Sequence, residues 1–157
     1  DTIREVKEIL MRSMVWWFVL CVIFVYLVDL FTFKSHVISG NGNLGLLFVG
    51  PGLIIFIFFA ICLWKGLGNL SLKSSTSIMI GLGAFALFII FLILEYKFAA
   101  NLINDLGGPP KEPSSKIYRF SWLNQYTNTI FINFYTLGIL ATGITFLNIL
   151  VKRIKGK

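Results

Sequence analysis

The chain has 157 residues, of which 57% are apolar and only 13% are charged, and its formal net charge is +7. A soluble domain of this composition would have too little polar surface to cover itself, so the composition indicates an integral membrane protein. The basic residues gather at the ends of apolar runs rather than in a patch interleaved with base-stacking groups, which argues against nucleic-acid binding.

The first apolar run, residues 14–33, is long enough for a helix to cross a bilayer. Thr2 and Glu5, before it, have the spacing of a capping box, so a helix is expected to start near the amino end. This segment is amphipathic and is predicted to be a stem continuous with the first span. Asp29 is the one ionisable residue well inside any of the runs.

The second and third spans are predicted at about residues 44–64 and 78–94. Gly50 and Pro51 leave two possible starts for the second span, one at Leu44 in a kinked helix and the other at Pro51. In the third span, Gly81 and Gly83 indicate close packing on a neighbouring helix, because small residues let helix backbones approach each other.

Residues 95–128 are predicted to form an outer loop, since two glycines and two prolines at 107–110 break any helix. The aromatic segment that follows fits a strand-like or an irregular stretch on the membrane surface. Two roles remain open for it, namely a mobile loop that touches lipid headgroups and a docking surface for a partner. The last span, about 129–151, carries polar residues together with Gly138 and Gly143, so it is expected to be the most enclosed of the four.

The distribution of Lys and Arg predicts the orientation. Nine lie at the amino end, in the connection after the second span and at the carboxyl end, and five lie on the other side. The predicted fold class is therefore an all-α membrane protein, a single domain of four transmembrane helices with both termini cytoplasmic. The expected location is a bacterial cytoplasmic (inner) membrane.

Asp29 lies about four residues inside its span, and counting the same depth into the last span reaches Asn133, with Tyr135 and Thr136 nearby. A charged side chain at such a depth is costly unless it pairs or reaches the interface. Two arrangements are open: Asp29 reaches out towards Lys34, or it turns inward and hydrogen-bonds Asn133 or Thr136.

The sequence contains no paired carboxylates, no Ser/His/Asp set and no nucleotide motif, and no cofactor or metal is predicted. Cys21 and Cys62 lack a C-x-x-C pattern, and His36 lacks clustered partners. We therefore expect a non-enzymatic accessory or stabilising subunit of a larger membrane complex, whose partners are membrane lipids and other subunits. One alternative is a protective protein against a pore-forming toxin, similar in size and layout to four-helix bacteriocin immunity proteins. A second is a small enzyme or transporter component acting on a lipid, with titratable candidates at Asp29, His36, Glu95 and Asp105.

Overall fold

The computed structural model describes residues 2–38, 42–70 and 73–156, with the side chains of residues 5 and 6 and from residue 8 onward. This described part folds into helices without any strand: α1 (Thr2–Leu30), α2 (Leu46–Gly68), α3 (Ser74–Asp105), α4 (Lys116–Phe120), α5 (Asn128–Phe131) and α6 (Phe134–Ile154). Four segments, α1, α2, α3 and α5 with α6, are long and apolar enough to cross a membrane, which confirms the expected all-helical fold with four candidate spans. The capping box predicted for Thr2 and the charges of Arg4 and Lys7 lie outside the described side chains.

The first helix is continuous from Thr2 to Leu30, so the predicted stem and first span form one element. It ends three residues before the predicted limit, because the chain turns there into a different set of contacts. The Thr32 hydroxyl donates to the Val28 carbonyl at 2.5 Å, and the Phe33 amide donates to the Gln125 carbonyl at 2.9 Å.

The second span begins at Leu46 and includes Pro51 as its sixth residue. Of the two possible starts, the helix therefore adopts one close to Leu44 and runs through the proline. It continues to Gly68, beyond the predicted limit at residue 64.

The four spans form a row in the order α1, α2, α6, α3. The first helix packs mainly on α2, α3 packs mainly on α6, and α2 and α6 pack on each other. Their main core lies between α1, α2 and α6, and its buried members are Cys21, Val25, Val28, Val49, Phe56, Phe59, Leu63, Ile132 and Leu137. The two edge helices therefore each have one main neighbour.

The expectation that the last span is the most enclosed is confirmed for its exposed surface but not for its share of fully buried residues. In their apolar stretches, 28% of the residues of α2 are buried, against 17% for the last span and 11% for α3. Exposed residues give the reverse order, with 5 among the 21 residues of α6 and 12 among the 23 residues of α2. Both helices have a neighbour on each side in the row, and the last span is the less exposed of the two.

The third helix extends eleven residues further than predicted, to Asp105, so residues 95–105 are helix and not loop. Its 32 residues span about 48 Å, compared with about 30 Å for the hydrocarbon core of a bilayer. The extension is stabilised where Leu102 and Ile103 pack on a second core of Leu106, Ile117 and Tyr126. The helix stops where Gly107 and Gly108 adopt positive φ angles of 92° and 104°.

A folded unit, which we call the cap, lies at the end of the spans where α1 and α3 finish and where α2 and α6 begin. It consists of residues 31–38, 42–45 and 106–133. It contains α4 and α5, and all six residues from 124 to 129 are buried. The predicted outer segment is thus a packed structure with a core of its own. The opposite end holds the start of α1, the connection between α2 and α3 and the carboxyl end of α6, and we call it the terminal end.

Candidate functional site

Asp29 lies in the last turn of α1 and pairs with Lys34. The distance between Lys34 Nζ and Asp29 Oδ1 is 3.3 Å, and the two side chains are 66% and 61% exposed. Of the two arrangements open from the sequence, this geometry corresponds to the outward one.

Asn133 caps the start of α6 with its side chain. Its Oδ1 accepts hydrogen bonds from the Tyr135 and Thr136 amides at 2.7 and 2.8 Å, and the Thr136 hydroxyl accepts from the Asn133 amide at 2.9 Å. This reciprocal pair is a capping box, which satisfies backbone N–H groups that have no partner inside the helix. Three of the predicted cluster residues therefore meet in one motif that starts the last transmembrane helix.

The carboxylate that contacts Asn133 comes from Glu95 on α3. Asn133 Nδ2 donates to Glu95 Oε2 at 2.6 Å and to the Thr129 carbonyl at 2.8 Å. The Tyr135 ring lies beside Phe98, with 6.0 Å between the ring centroids, so it also contacts α3. The sequence pattern predicts Glu95 as the first residue of the outer loop. Its helical spacing from Phe88 and Phe91, which contact α6, was the signal that it lies on the same face of α3.

Lys116 joins distant parts of the cap. Its ammonium group donates to the carbonyls of Ser35 and Val37 at 2.5 and 3.2 Å and lies 4.1 Å from the centroid of the Tyr126 ring. The Tyr126 hydroxyl donates to the same Val37 carbonyl at 3.0 Å. These contacts fix the segment after α1 against the segment before α6.

A pair of amide side chains holds the segment before α2. Asn43 Nδ2 donates to Asn128 Oδ1 at 3.0 Å, and Asn128 Nδ2 donates to Asn43 Oδ1 at 2.7 Å. Asn128 is completely buried, and a Cβ at Gly45 would collide with its amide. Glycine at position 45 therefore permits this close approach.

Three of the four predicted packing glycines lie at the interface of α3 and α6. A Cβ at Gly81 would lie 3.1 Å from Ile149, and a Cβ at Gly143 would lie 3.1 Å from the Phe88 ring. The tightest position is Gly138, where a Cβ would lie 2.7 Å from ring atoms of Phe91 on the facing helix.

Gly83 differs from the other three glycines. It is exposed, and no atom lies within 4 Å of the position that its Cβ would occupy. It lies two residues from Gly81, which at 3.6 residues per turn places it on the face of α3 directed away from α6.

A cavity of about 680 Å³ lies at the terminal end, between the last turns of α2 and α6 and the first turn of α3. Lys152 and Arg153 line it; the Lys152 ammonium donates to the carbonyls of Leu67 and Leu70 at 2.6 and 2.8 Å. Asn148 lies one turn before Lys152 and also lines the cavity. No sequence motif predicts this site, because its residues come from three helices.

No group of three or more His, Cys, Asp or Glu residues that could hold a metal ion occurs within the described ranges. Comparison with known proteins finds no matching family model, no matching curated protein and no matching solved structure.

Proposed function

We propose that the protein is a non-enzymatic accessory or stabilising subunit of a larger membrane protein complex. In this proposal both termini are cytoplasmic and the cap faces outward, in agreement with the nine basic residues against five. The proposed location is a bacterial cytoplasmic membrane. The partner is a second membrane protein that contributes a transmembrane helix.

The observation that carries the proposal is the open face of α3. This helix has α6 as its one main neighbour within the chain, and only 11% of its apolar stretch is buried. Gly83 and Ala86 are both exposed there. An exposed glycine weakens a helix and makes no contact in this chain, whereas small residues in membranes serve the close approach of another helix.

The cap offers a second surface that the same partner can contact. Its core holds Ile117 and Tyr126 almost completely buried, while Tyr118, Phe120 and Trp122 are exposed beside them. Aromatic side chains that a packed core holds in place lose less conformational entropy when a partner binds than side chains on a mobile loop. This arrangement supports the docking role that the sequence left open.

The test is native electrophoresis of the tagged full-length chain, extracted from membranes in mild detergent, with identification of co-migrating proteins. We expect one defined partner in a constant ratio. Gly83→Leu should release it, because the added side chain occupies the space of the approaching helix. The unfolding temperature of the isolated chain should not fall, because that position is open and leucine has a higher helix propensity than glycine.

Ile57→Trp is the control, since it adds bulk at a position of α2 that is 59% exposed. It should retain the partner. Recovery of a lone chain carrying only lipid, or equal partner loss in both variants, would contradict an accessory role that depends on α3.

A further inference from the structure

The terminal-end cavity is electropositive. Among its lining residues are the cations Lys152 and Arg153 and no carboxylate. Two of the three N–H donors of Lys152 bind the Leu67 and Leu70 carbonyls, so one remains for a ligand. The Arg153 side chain contacts the Ser74 hydroxyl at 3.5 Å, close to the start of α3.

The first turn of α3 adds further donors to this cavity. Lys73, the residue before the helix, makes no side-chain bond to the first-turn amides, and that turn contains no acidic residue. The first amides of a helix have no acceptor within it and carry a partial positive charge, which favours a bound anion. Ser74 and Ser77 also line the cavity and have hydroxyl groups.

Asn148 gives an independent indication of a ligand. It is 4% exposed, and its Nδ2 donates to the Trp64 carbonyl at 3.0 Å. Its Oδ1 is buried and has no hydrogen-bond partner in the described part of the chain. A buried acceptor of this kind is costly to leave unpaired. The oxygens of an ionised phosphodiester are acceptors only and cannot donate to Asn148 Oδ1. A ligand that pairs with this atom therefore needs a hydrogen-bond donor as well as an anionic group.

We propose that this cavity binds a phosphate ester bearing a hydroxyl group, in the form of an anionic phospholipid headgroup such as phosphoglycerol. Arg153, Lys152 and the first turn of α3 bind the phosphate, and Asn148 Oδ1 accepts from a headgroup hydroxyl. A zwitterionic amine headgroup also has donors, but the two cations favour a headgroup with net negative charge.

A lipid fits better than a soluble phosphate ester because the cavity is apolar on one side. Leu67, Ile80 and Ile149 line it next to the polar groups. The cavity also lies where three membrane-spanning helices end, at the depth where phospholipid headgroups are found. The acyl chains can then leave the cavity beside Ile80 and Ile149.

Native mass spectrometry of the full chain in neutral micelles tests the proposal by titration with four probes. Phosphatidylglycerol should bind most tightly. Phosphatidylmethanol, which has the same charge but no headgroup hydroxyl, should bind several-fold more weakly, because one hydrogen bond is lost. Phosphatidylcholine and soluble glycerol 3-phosphate should bind weakest.

Two variants separate the roles of charge and hydroxyl recognition. Arg153→Gln should weaken phosphatidylglycerol binding by about tenfold, as expected for a charge-assisted contact. Its matched control is Lys155→Gln, which removes an exposed charge from the same helix end but outside the cavity and should change binding little. Asn148→Leu should bring phosphatidylglycerol and phosphatidylmethanol to equal affinity.

Equal weakening by Arg153→Gln and Lys155→Gln would indicate general attraction to anionic lipid and would overturn the site. Equal affinity of the wild-type chain for the glycerol and methanol lipids would refute the role of Asn148. Glycerol 3-phosphate binding as tightly as the lipid would refute the assignment to a lipid. If Asn148→Leu does not fold, the affinities of the wild-type chain for phosphatidylglycerol and phosphatidylmethanol still decide whether the headgroup hydroxyl is recognised.

Discussion

Glu95 and Asn133 join the edge helix α3 to its neighbour α6 through a 2.6 Å hydrogen bond from Asn133 Nδ2 to Glu95 Oε2. Glu95 is half-buried on α3, and Asn133 is the residue that starts α6. The same amide side chain thus determines where the last span begins and how it is fixed against α3. Its two functions distinguish it from an ordinary helix cap.

Asn133→Ala should lower the free energy of unfolding by about 2–3 kcal/mol, because it removes a helix cap and leaves the Glu95 carboxylate without its amide donor. Unfolding in mixed detergent micelles measures this. A double-mutant cycle with Glu95→Ala should give a coupling energy of about 1 kcal/mol. Additive effects of the two changes would show that the hydrogen bond contributes nothing measurable.

Asp29→Asn provides the control for that cycle. Its pair with Lys34 is mostly exposed, and exposed ion pairs typically contribute less than about 1 kcal/mol. We expect a small effect that adds to that of Asn133→Ala. Strong coupling between positions 29 and 133 would instead support the inward arrangement of Asp29.

Gly138→Ala and Gly83→Ala should have opposite effects on stability. At Gly138 the new Cβ would lie 2.7 Å from the Phe91 ring, so the helices must separate at a cost of about 1–3 kcal/mol. At Gly83 the space is open, so the higher helix propensity of alanine should stabilise the isolated chain by up to about 1 kcal/mol. Thermal unfolding in micelles tests both, and equal tolerance would contradict the close contact of α3 with α6.

Lys116→Met should loosen the cap without unfolding the spans. The change removes two hydrogen bonds to the carbonyls of Ser35 and Val37 and the contact with the Tyr126 ring. Hydrogen exchange at residues 33–37 should therefore become faster. Lys111→Met, at an exposed position of the same cap, is the control and should leave exchange unchanged.

The orientation can be tested by labelling single cysteines in a Cys21→Ala/Cys62→Ala background. Ser114→Cys lies at an exposed position of the cap and should react with an impermeant thiol reagent in intact cells. Lys155→Cys, at the terminal end, should react only after the membrane is permeabilised. The reverse pattern would place both termini outside.

The spans could be predicted from the sequence because apolar length alone identifies them. Their ends could not, since these depend on contacts elsewhere in the chain. Residues 95–105 are too polar for a hydropathy window, yet they stay helical because Leu102 and Ile103 pack on Ile117 and Tyr126. Hydropathy also gave no indication that Glu95 lies opposite Asn133.

The cap and the terminal-end cavity depend on residues far apart in sequence. Asn43 pairs with Asn128 across 85 positions, and Asn148 reaches the Trp64 carbonyl across 84. No local periodicity encodes such pairs, so the aromatic segment was predicted to be extended or irregular although part of it is helix α4. Orientation in a membrane and binding of a partner depend on molecules outside the chain, so the sequence bears on them only through its charges and its exposed apolar surface.

The most direct test of the proposed subunit role is photo-crosslinking in cells from the open face of α3. A photoreactive phenylalanine analogue replaces Leu87, which is 48% exposed on α3, or Ile57, which is 59% exposed on α2. We expect one protein adduct of constant mass from position 87 and none from position 57. Adducts with lipid alone at position 87, or the same adducts from both positions, would contradict the proposed subunit role.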